Sequence, residues 1–249
     1  MGFEETVETH FPGAMRSSDY IQRTSEALHG YGFHATNAIV CASVCRDELT
    51  RNLIEEIEKA WTHVFDFSSL AGMLYLGKTG FKTASHHSPN EDGEERVVYF
   101  AFPHISIDAE GVIGNCYRSG RKDVSHACGA LFGLQKELAN GSITLDFDSD
   151  DIELSLLKQR MLKKIRYGEV PDLVTLTKIA HSAIREDLER MIYLTVNNDP
   201  VSYAVFTGVQ IHGPDNQTWI WTDTPYVVVK DDLEKLTKLN VMPKPLLVA

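Results

Sequence analysis

The stretch that most constrains this chain is Asn37-Ala-Ile-Val-Cys41-Ala-Ser-Val-Cys45-Arg46-Asp47-Glu48. Ala38 to Val44, with Ser43 among them, are small or apolar and read as a buried strand. Behind the charged residues, Leu49, Leu53, Ile54, Ile57 and Trp61 recur at the spacing of one helix face. Cys45 and Asp47 therefore fall where a buried strand hands over to a helix. In an α/β protein that is the carboxyl edge of the sheet, where ligands bind. A soft metal ligand and a hard one, two residues apart at such an edge, raise a zinc hypothesis that the rest of the chain must support.

Further segments alternate in the same way. A helix is expected over Tyr20–His29, capped by Ser18 or Asp19, after an irregular lead-in over residues 1–18 that contains Pro12 and Gly13. Val64–Phe67 is a short apolar piece, and Ser68–Ser69 would cap a short helix over Leu70–Leu76. Gly77 to Glu95 reads as a polar loop in which His86 and His87 are solvated. Arg96–Ile107 is a second strong strand, interrupted by Pro103 and carrying His104. Val112–Tyr117 would return from it as a hairpin strand. A basic loop from Arg118 then leads to Ser125-His126-Ala-Cys128-Gly129 and a helix whose face is Ala130, Leu131, Leu134 and Leu138. Cys128 sits at the start of that helix, where a thiolate is stabilised. Ile143–Phe147 is a possible strand, Ile152–Ile165 and Val174–Val196 are helices, and Tyr203–Ile211 is a third strand ending in His212. Trp219–Trp221 and Tyr226–Val229 are short strands and Asp231–Leu239 a last helix. Strands alternating with helices favour an α/β fold with a largely parallel central sheet flanked by helices, in one domain over residues 1–249.

Totals narrow the partners. The net charge of −11 argues against nucleic acid and anionic lipid. No apolar run approaches the roughly 20 residues of a membrane span. The acidic N-terminus lacks the order of a secretory signal, although Met1-Gly2-x-x-x-Thr6 fits the loose myristoylation pattern. Four cysteines, Cys41, Cys45, Cys116 and Cys128, are too few for a disulfide scaffold. The expectation is a soluble protein of a reducing compartment: the cytoplasm, or an organelle if a transit peptide lies outside this sequence.

Cys45 with Asp47, His104, and Cys128 thus lie at the ends of separate elements, one or two ligand types to each. Structural zinc sites bring tight Cys-x-x-Cys pairs, which are absent. Two thiolates, one imidazole and a nearby carboxylate on separate elements fit a catalytic zinc site with a fourth position for water or Asp47. Each residue also has an ordinary reading: Cys45 as a small buried residue, Asp47 as a helix N-cap, His104 as a hydrogen-bonded histidine. His126 competes with Cys128 for the ligand role. A cysteine hydrolase using Cys45 or Cys128 is a further possibility, without a nucleophile signature to support it.

Together, Val44-Cys45-Arg46-Asp47-Glu48, His104, Ser125-x-Ala127-Cys128-Gly129-Ala130-Leu131 and Thr207-Gly208-Val209-Gln210-Ile211-His212 resemble the limiting-CO2-inducible B/C proteins, the theta-class, beta-like carbonic anhydrases. The resemblance runs from about Tyr20 to the last strands. It implies a beta-carbonic-anhydrase-like α/β domain working as a homodimer. It implies Zn2+ held by Cys45, His104 and Cys128, with Asp47 either in the fourth position or swung away onto an arginine. The implied reaction interconverts CO2 and bicarbonate by zinc-hydroxide attack, gated by Asp47; the alternative is a non-catalytic zinc- or bicarbonate-binding subunit. Ordinary beta-class enzymes carry Cys-x-Asp-x-Arg, whereas Leu49 stands at the arginine position here. Arg46 is taken as the catalytic partner of Asp47, with Arg51 and Arg121 as alternatives. Phe100, Phe102, Leu74 and Tyr75 are candidate walls of a CO2 pocket, and His126, His86 and His212 candidate proton carriers.

Overall fold

The computed structural model describes residues 1–90, 93–196, 201–230 and 235–242. In chain order the elements are α1 (Phe3–His10), β1 (Met15–Arg16), α2 (Ser17–His29), β2 (Ile39–Ser43), α3 (Arg51–Ala60), β3 (His63–Asp66) and α4 (Gly77–Ser85). Then come β4 (Arg96–Ala101), β5 (His104–Ser106), β6 (Asn115–Cys116), β7 (Ser125–His126), α5 (Gly129–Asn140), α6 (Ile152–Leu162) and α7 (Leu173–Thr195). The chain closes with β8 (Ser202–His212), β9 (Thr218–Thr222), β10 (Tyr226–Val228) and β11 (Thr237–Lys238).

The sheet has the strand order β1-β9-β8-β4-β2-β3. Its centre is parallel: β2 with β3, β2 with β4, β4 with β8, and β5 with β8. The antiparallel strands β9, β1, β10 and β11 lie towards the β8 side. β4 and β5 pair with β8 in continuous register, Ala101 opposite Thr207 and His104 opposite Gln210, so Pro103 interrupts the ladder without shifting it. Both faces of the parallel region are covered, as a sheet with helical crossovers requires. Ile39, Cys41 and Cys45 join Val97, Tyr99 and Ala101 in one core, which α5 and α7 complete with Leu131, Leu134 and Ile184. The alternate residues Val40, Ala42 and Val44 join Val98, Phe100 and Phe102 in a second core with Ile21 of α2 and Leu53 of α3. The two-residue period of a strand makes that partition.

Several expectations are corrected. The lead-in is ordered: Phe3 and Val7, one helical turn apart, bury one face of α1, and Phe3 meets Trp219 edge-on. Glu4 and Glu5 in its first turn complement the helix dipole. The polar loop after Gly77 is instead α4, which buries Phe81 and Ala84 and packs on α7. Tertiary burial there overrides two glycines that disfavour a helix. Leu70–Leu76 forms only the short 3-10 turn Leu70–Gly72, because Ala71 and Gly72 take left-handed φ values of 57° and 74°. A Cβ on Gly72 would stand 2.6 Å from the carbonyl oxygen of Phe102, so only glycine fits this approach. Ile143–Phe147 finds no ladder partner among the described residues, and Leu145 and Phe147 stay exposed. Of the helix expected over Asp231–Leu239, residues 231–234 lie outside the described residues, and Thr237–Lys238 pair as a strand with β10. The hairpin after Asp108 is reduced to an Ile107–Ile113 bridge and the pair β6–β7. No helix among the described residues is long and apolar enough to cross a membrane.

Candidate metal centre

Cys45 leaves the carboxyl end of β2 and is held by its backbone. It bridges to Ser69, and the Thr50 hydroxyl lies 2.7 Å from its carbonyl oxygen. The left-handed turn at Ala71 aims a backbone N–H at Cys45 Sγ, 3.3 Å away. Cys128 occupies the N-cap position of α5 with extended backbone, where the N–H groups of Ala130 and Leu131 favour its thiolate without a formal capping bond. His104 projects from β5 and is fully buried.

These three side chains converge. Their ligand atoms all lie within 4.8 Å of one another, and the two sulfurs are 3.9 Å apart. Cys128 donating to Cys45 holds the Cys45 thiol far below its ordinary pKa, burial opposes this, and His104 reinforces it. The same hydrogen bond, with burial, drives Cys128 upward. His104 Nδ1 is 2.9 Å from His212 Nε2. Burial and the neighbouring His104 push His212 well below the usual histidine value, so it is neutral. The two rings share one proton at this contact, and with His104 Nδ1 as its donor the lone pair of His104 falls on Nε2. His104 Nε2 is itself buried and has no hydrogen-bond partner among the described residues. Two soft sulfurs and an orphaned imidazole lone pair in a buried cluster are a donor group that fits zinc. A metal-binding histidine is usually held through its far nitrogen, by a carboxylate, carbonyl or water; here His212 takes that place.

Asp47 lies outside that cluster of three. It caps the turn that follows it, accepting from the Leu49 N–H at 3.1 Å, so the N-cap reading holds. Its carboxylate also takes two hydrogen bonds from a guanidinium, and that guanidinium is Arg118: Nη1 to Oδ1 at 3.0 Å and Nη2 to Oδ2 at 2.8 Å. Burial alone would raise the Asp47 carboxyl, but Arg118, His104 and the Leu49 N–H together bring it below the ordinary value. Arg118 also contacts Glu48, and its Nε donates to Ser125 Oγ at 3.0 Å.

The expected partner is thus corrected. Arg46 points away and pairs with Glu153 at 2.8 Å, Arg51 pairs with Glu55, and Arg121 with Asp123. Sequence spacing around Asp47 does not reach Arg118, because the pair spans 71 residues. The available signal was an arginine ten residues ahead of Cys128, at the mouth of the hairpin that delivers it. Of the candidate pocket walls, Leu74 and Tyr75 share the core of Cys45 and Cys128, whereas Phe100 and Phe102 belong to the opposite face. His126 is not in the ligand cluster; its ring stacks on Phe132. His86 is exposed at the end of α4. A cavity of about 630 Å³ opens beside the centre, lined by Glu48, Asp108, Cys116, Arg118 and His212 among others.

A family model described as limiting CO2-inducible proteins B/C beta carbonic anhydrases matches residues 14–229. The structure of the limiting CO2-inducible protein LCIB is similar with a TM-score of 0.74 and 32% identity, over 94% of this chain and 96% of that one. PtLCIB4, a homologue of LCIB, is similar with a TM-score of 0.82 and 23% identity, over 95% of this chain and 99% of that one, a likeness of fold. No curated protein sequence matches significantly.

Proposed function

This chain belongs to the limiting CO2-inducible B/C family of beta carbonic anhydrases, and from that premise we propose that it is a zinc-dependent carbonic anhydrase interconverting CO2 and bicarbonate. The observation that carries the proposal is the buried Cys45–His104–Cys128 cluster with an orphaned His104 Nε2, beside a carboxylate already engaged by an arginine. Cys45, His104 and Cys128 would hold the metal. When bound, zinc supplies a Lewis acid that brings the pKa of water from 15.7 towards about 7.

The chain's own residues do the rest. His212 holds the ring angle of His104 and, with the metal on Nε2, would accept from its Nδ1–H. Two thiolates put more negative charge at the centre than imidazoles do, so the acidifying effect is weaker and the surrounding hydrogen bonds matter more. Arg118 holds the Asp47 carboxylate ionised and turned from the ligand cluster. In that position Asp47 can accept a hydrogen bond from the reacting hydroxyl and aim that oxygen's lone pair at CO2. Released from Arg118, Asp47 would turn to the cluster and close it, which is the proposed gate. Met73 and Leu74, in the core of Cys45 and Cys128, provide apolar surroundings suited to CO2. The homodimer implied by the resemblance belongs to the same proposal.

Metal analysis and stopped-flow CO2 hydration test it together. The expected result is about one zinc per chain, hydration that rises with pH, and loss of both metal and activity in Cys45→Ser and His104→Ala. Failure of the wild-type chain to retain or regain zinc would remove the metal reading. Full zinc without hydration would leave a non-catalytic binding subunit.

A further inference from the structure

Gln210 is fully buried on β8. Its backbone N–H is used, donating to the Pro103 carbonyl at 2.9 Å. Its side chain is not: neither Oε1 nor Nε2 has a hydrogen-bond partner among the described residues. The location gives that vacancy meaning. β5 and β8 run parallel with His104 opposite Gln210 and Ser106 opposite His212. Residues opposite each other in a ladder project from the same face, as do residues two apart on one strand. The contact of His104 Nδ1 with His212 Nε2, diagonal across that ladder, agrees with this. His104, Gln210 and His212 therefore make one polar row. On its other side Gln210 stands opposite the fully buried Ile220 of β9. His104 and His212 satisfy each other at one nitrogen each. The Gln210 amide beside them has no partner among the described residues.

A primary amide brings two N–H donors and one carbonyl acceptor. Buried and unpaired it is destabilising, and leucine or methionine would fill the same space without that cost. The described residues offer it no partner. We infer that Gln210 is a substrate-binding residue whose side-chain amide grips bicarbonate beside His104. This rests on the CO2/bicarbonate reading of the same centre and adds the group that orients the anion. Bicarbonate matches the amide in both senses. An anionic oxygen accepts from Nε2, and the hydroxyl donates to Oε1. CO2 has no hydrogen to donate, so the amide favours bicarbonate over CO2. Being neutral, it does so without adding charge to the centre. A buried water would also satisfy the amide, and the experiment separates the two.

The experiment is a bicarbonate titration of cobalt(II)-loaded protein followed by visible absorption, for the wild type and Gln210→Leu, with metal content and thermal melting of each. The wild type is expected to respond. Gln210→Leu is expected to bind metal equally, to melt at the same or higher temperature, and to need roughly tenfold or more bicarbonate for the same response. An unchanged midpoint in Gln210→Leu overturns the inference and leaves the amide to a buried water. No response from metal-loaded wild type overturns the bicarbonate reading itself, and this inference with it. Should Gln210→Leu fail to fold, the wild-type chain still decides. The Gln210 side-chain amide resonances should shift on adding bicarbonate to zinc-loaded protein, and their failure to move overturns the assignment.

Discussion

Arg46 belongs to the Cys45–Glu48 turn and Arg118 reaches that turn from across the fold; each clasps a carboxylate with two nitrogens, yet the pairs occupy different environments. Arg46 reaches Glu153 at 2.8–3.2 Å with its side chain 62% exposed and that of Glu153 30% exposed. Arg118 reaches Asp47 with exposures of only 18% and 12%. Glu153 also accepts the Leu70 N–H at 2.7 Å, so the first pair braces α6 against the turn that supports Cys45. The second pair sits beside the centre, and Arg118 lines the cavity. The same fork geometry is a weak surface brace in one case. In the other it is a desolvated pair whose halves depend on each other.

Removing each arginine in turn is the strongest test of that contrast. Arg118→Ala leaves the Asp47 carboxylate half-buried and unpaired, a loss on the order of 2–3 kcal/mol, towards the low end for stranding one member of a buried pair. CO2 hydration should fall by roughly 10–100-fold, as for other groups that orient metal-site residues. Arg46→Ala should cost less than about 1 kcal/mol and change hydration little. Denaturant midpoints and kcat/KM on the two variants check both statements. Equal losses would erase the distinction, and a larger loss in Arg46→Ala would return Arg46 to the role the sequence reading gave it.

That reading was legible where the chemistry is local. The unbroken apolar run Ala38–Val44 showed a buried strand, and the helical spacing behind it placed Cys45 and Asp47 at the sheet's edge. The three ligand candidates were visible because each terminates or begins an element, and the structure brings all three within 4.8 Å. Contacts made across the fold were not legible. Arg118 finds Asp47 only because the β6–β7 pair carries the start of α5 beside β2. His212 reads as a strand-end histidine until β5 is laid against β8. Phe100 and Phe102 looked like pocket walls, but the strand period sends them to the other core. Helix α1 escaped notice because two apolar residues one turn apart make too thin a stripe until Trp219 arrives to cover it.

Acidity sharpens the same contrast with a smaller effect. The Asp47 carboxyl is held below its ordinary value in the fold. A depressed carboxyl contributes stability that is fully present above the unfolded value of about 3.9 and is lost as pH falls through the folded value. The stability advantage of wild type over Asp47→Asn should therefore be constant near neutrality and shrink below about pH 4. Metal-free protein is the right sample, because zinc release in acid would add its own slope. Glu153 is also lowered, chiefly by its hydrogen bond from Arg46. The wild-type advantage over Glu153→Gln falls in the same acid window but should be smaller, because solvent screens that pair. A pH-independent gap for Asp47→Asn would show that the carboxylate gains nothing from Arg118.

Salt gives the smallest effect and the cleanest separation. A double-mutant cycle between Arg46 and Glu153 should return roughly 0.2–1 kcal/mol of interaction at low salt and close to none at 1 M, where the screening length is about 3 Å. The cycle between Arg118 and Asp47 should return more and keep most of it, because neighbouring protein excludes the counterions that do the screening. Persistence of the Arg46–Glu153 interaction at 1 M salt would mean that its worth is the geometry of the fork and the Leu70 hydrogen bond rather than charge. The brace would then be a fixed part of the turn that presents Cys45, and the contrast between the two arginines would be one of position rather than of solvent.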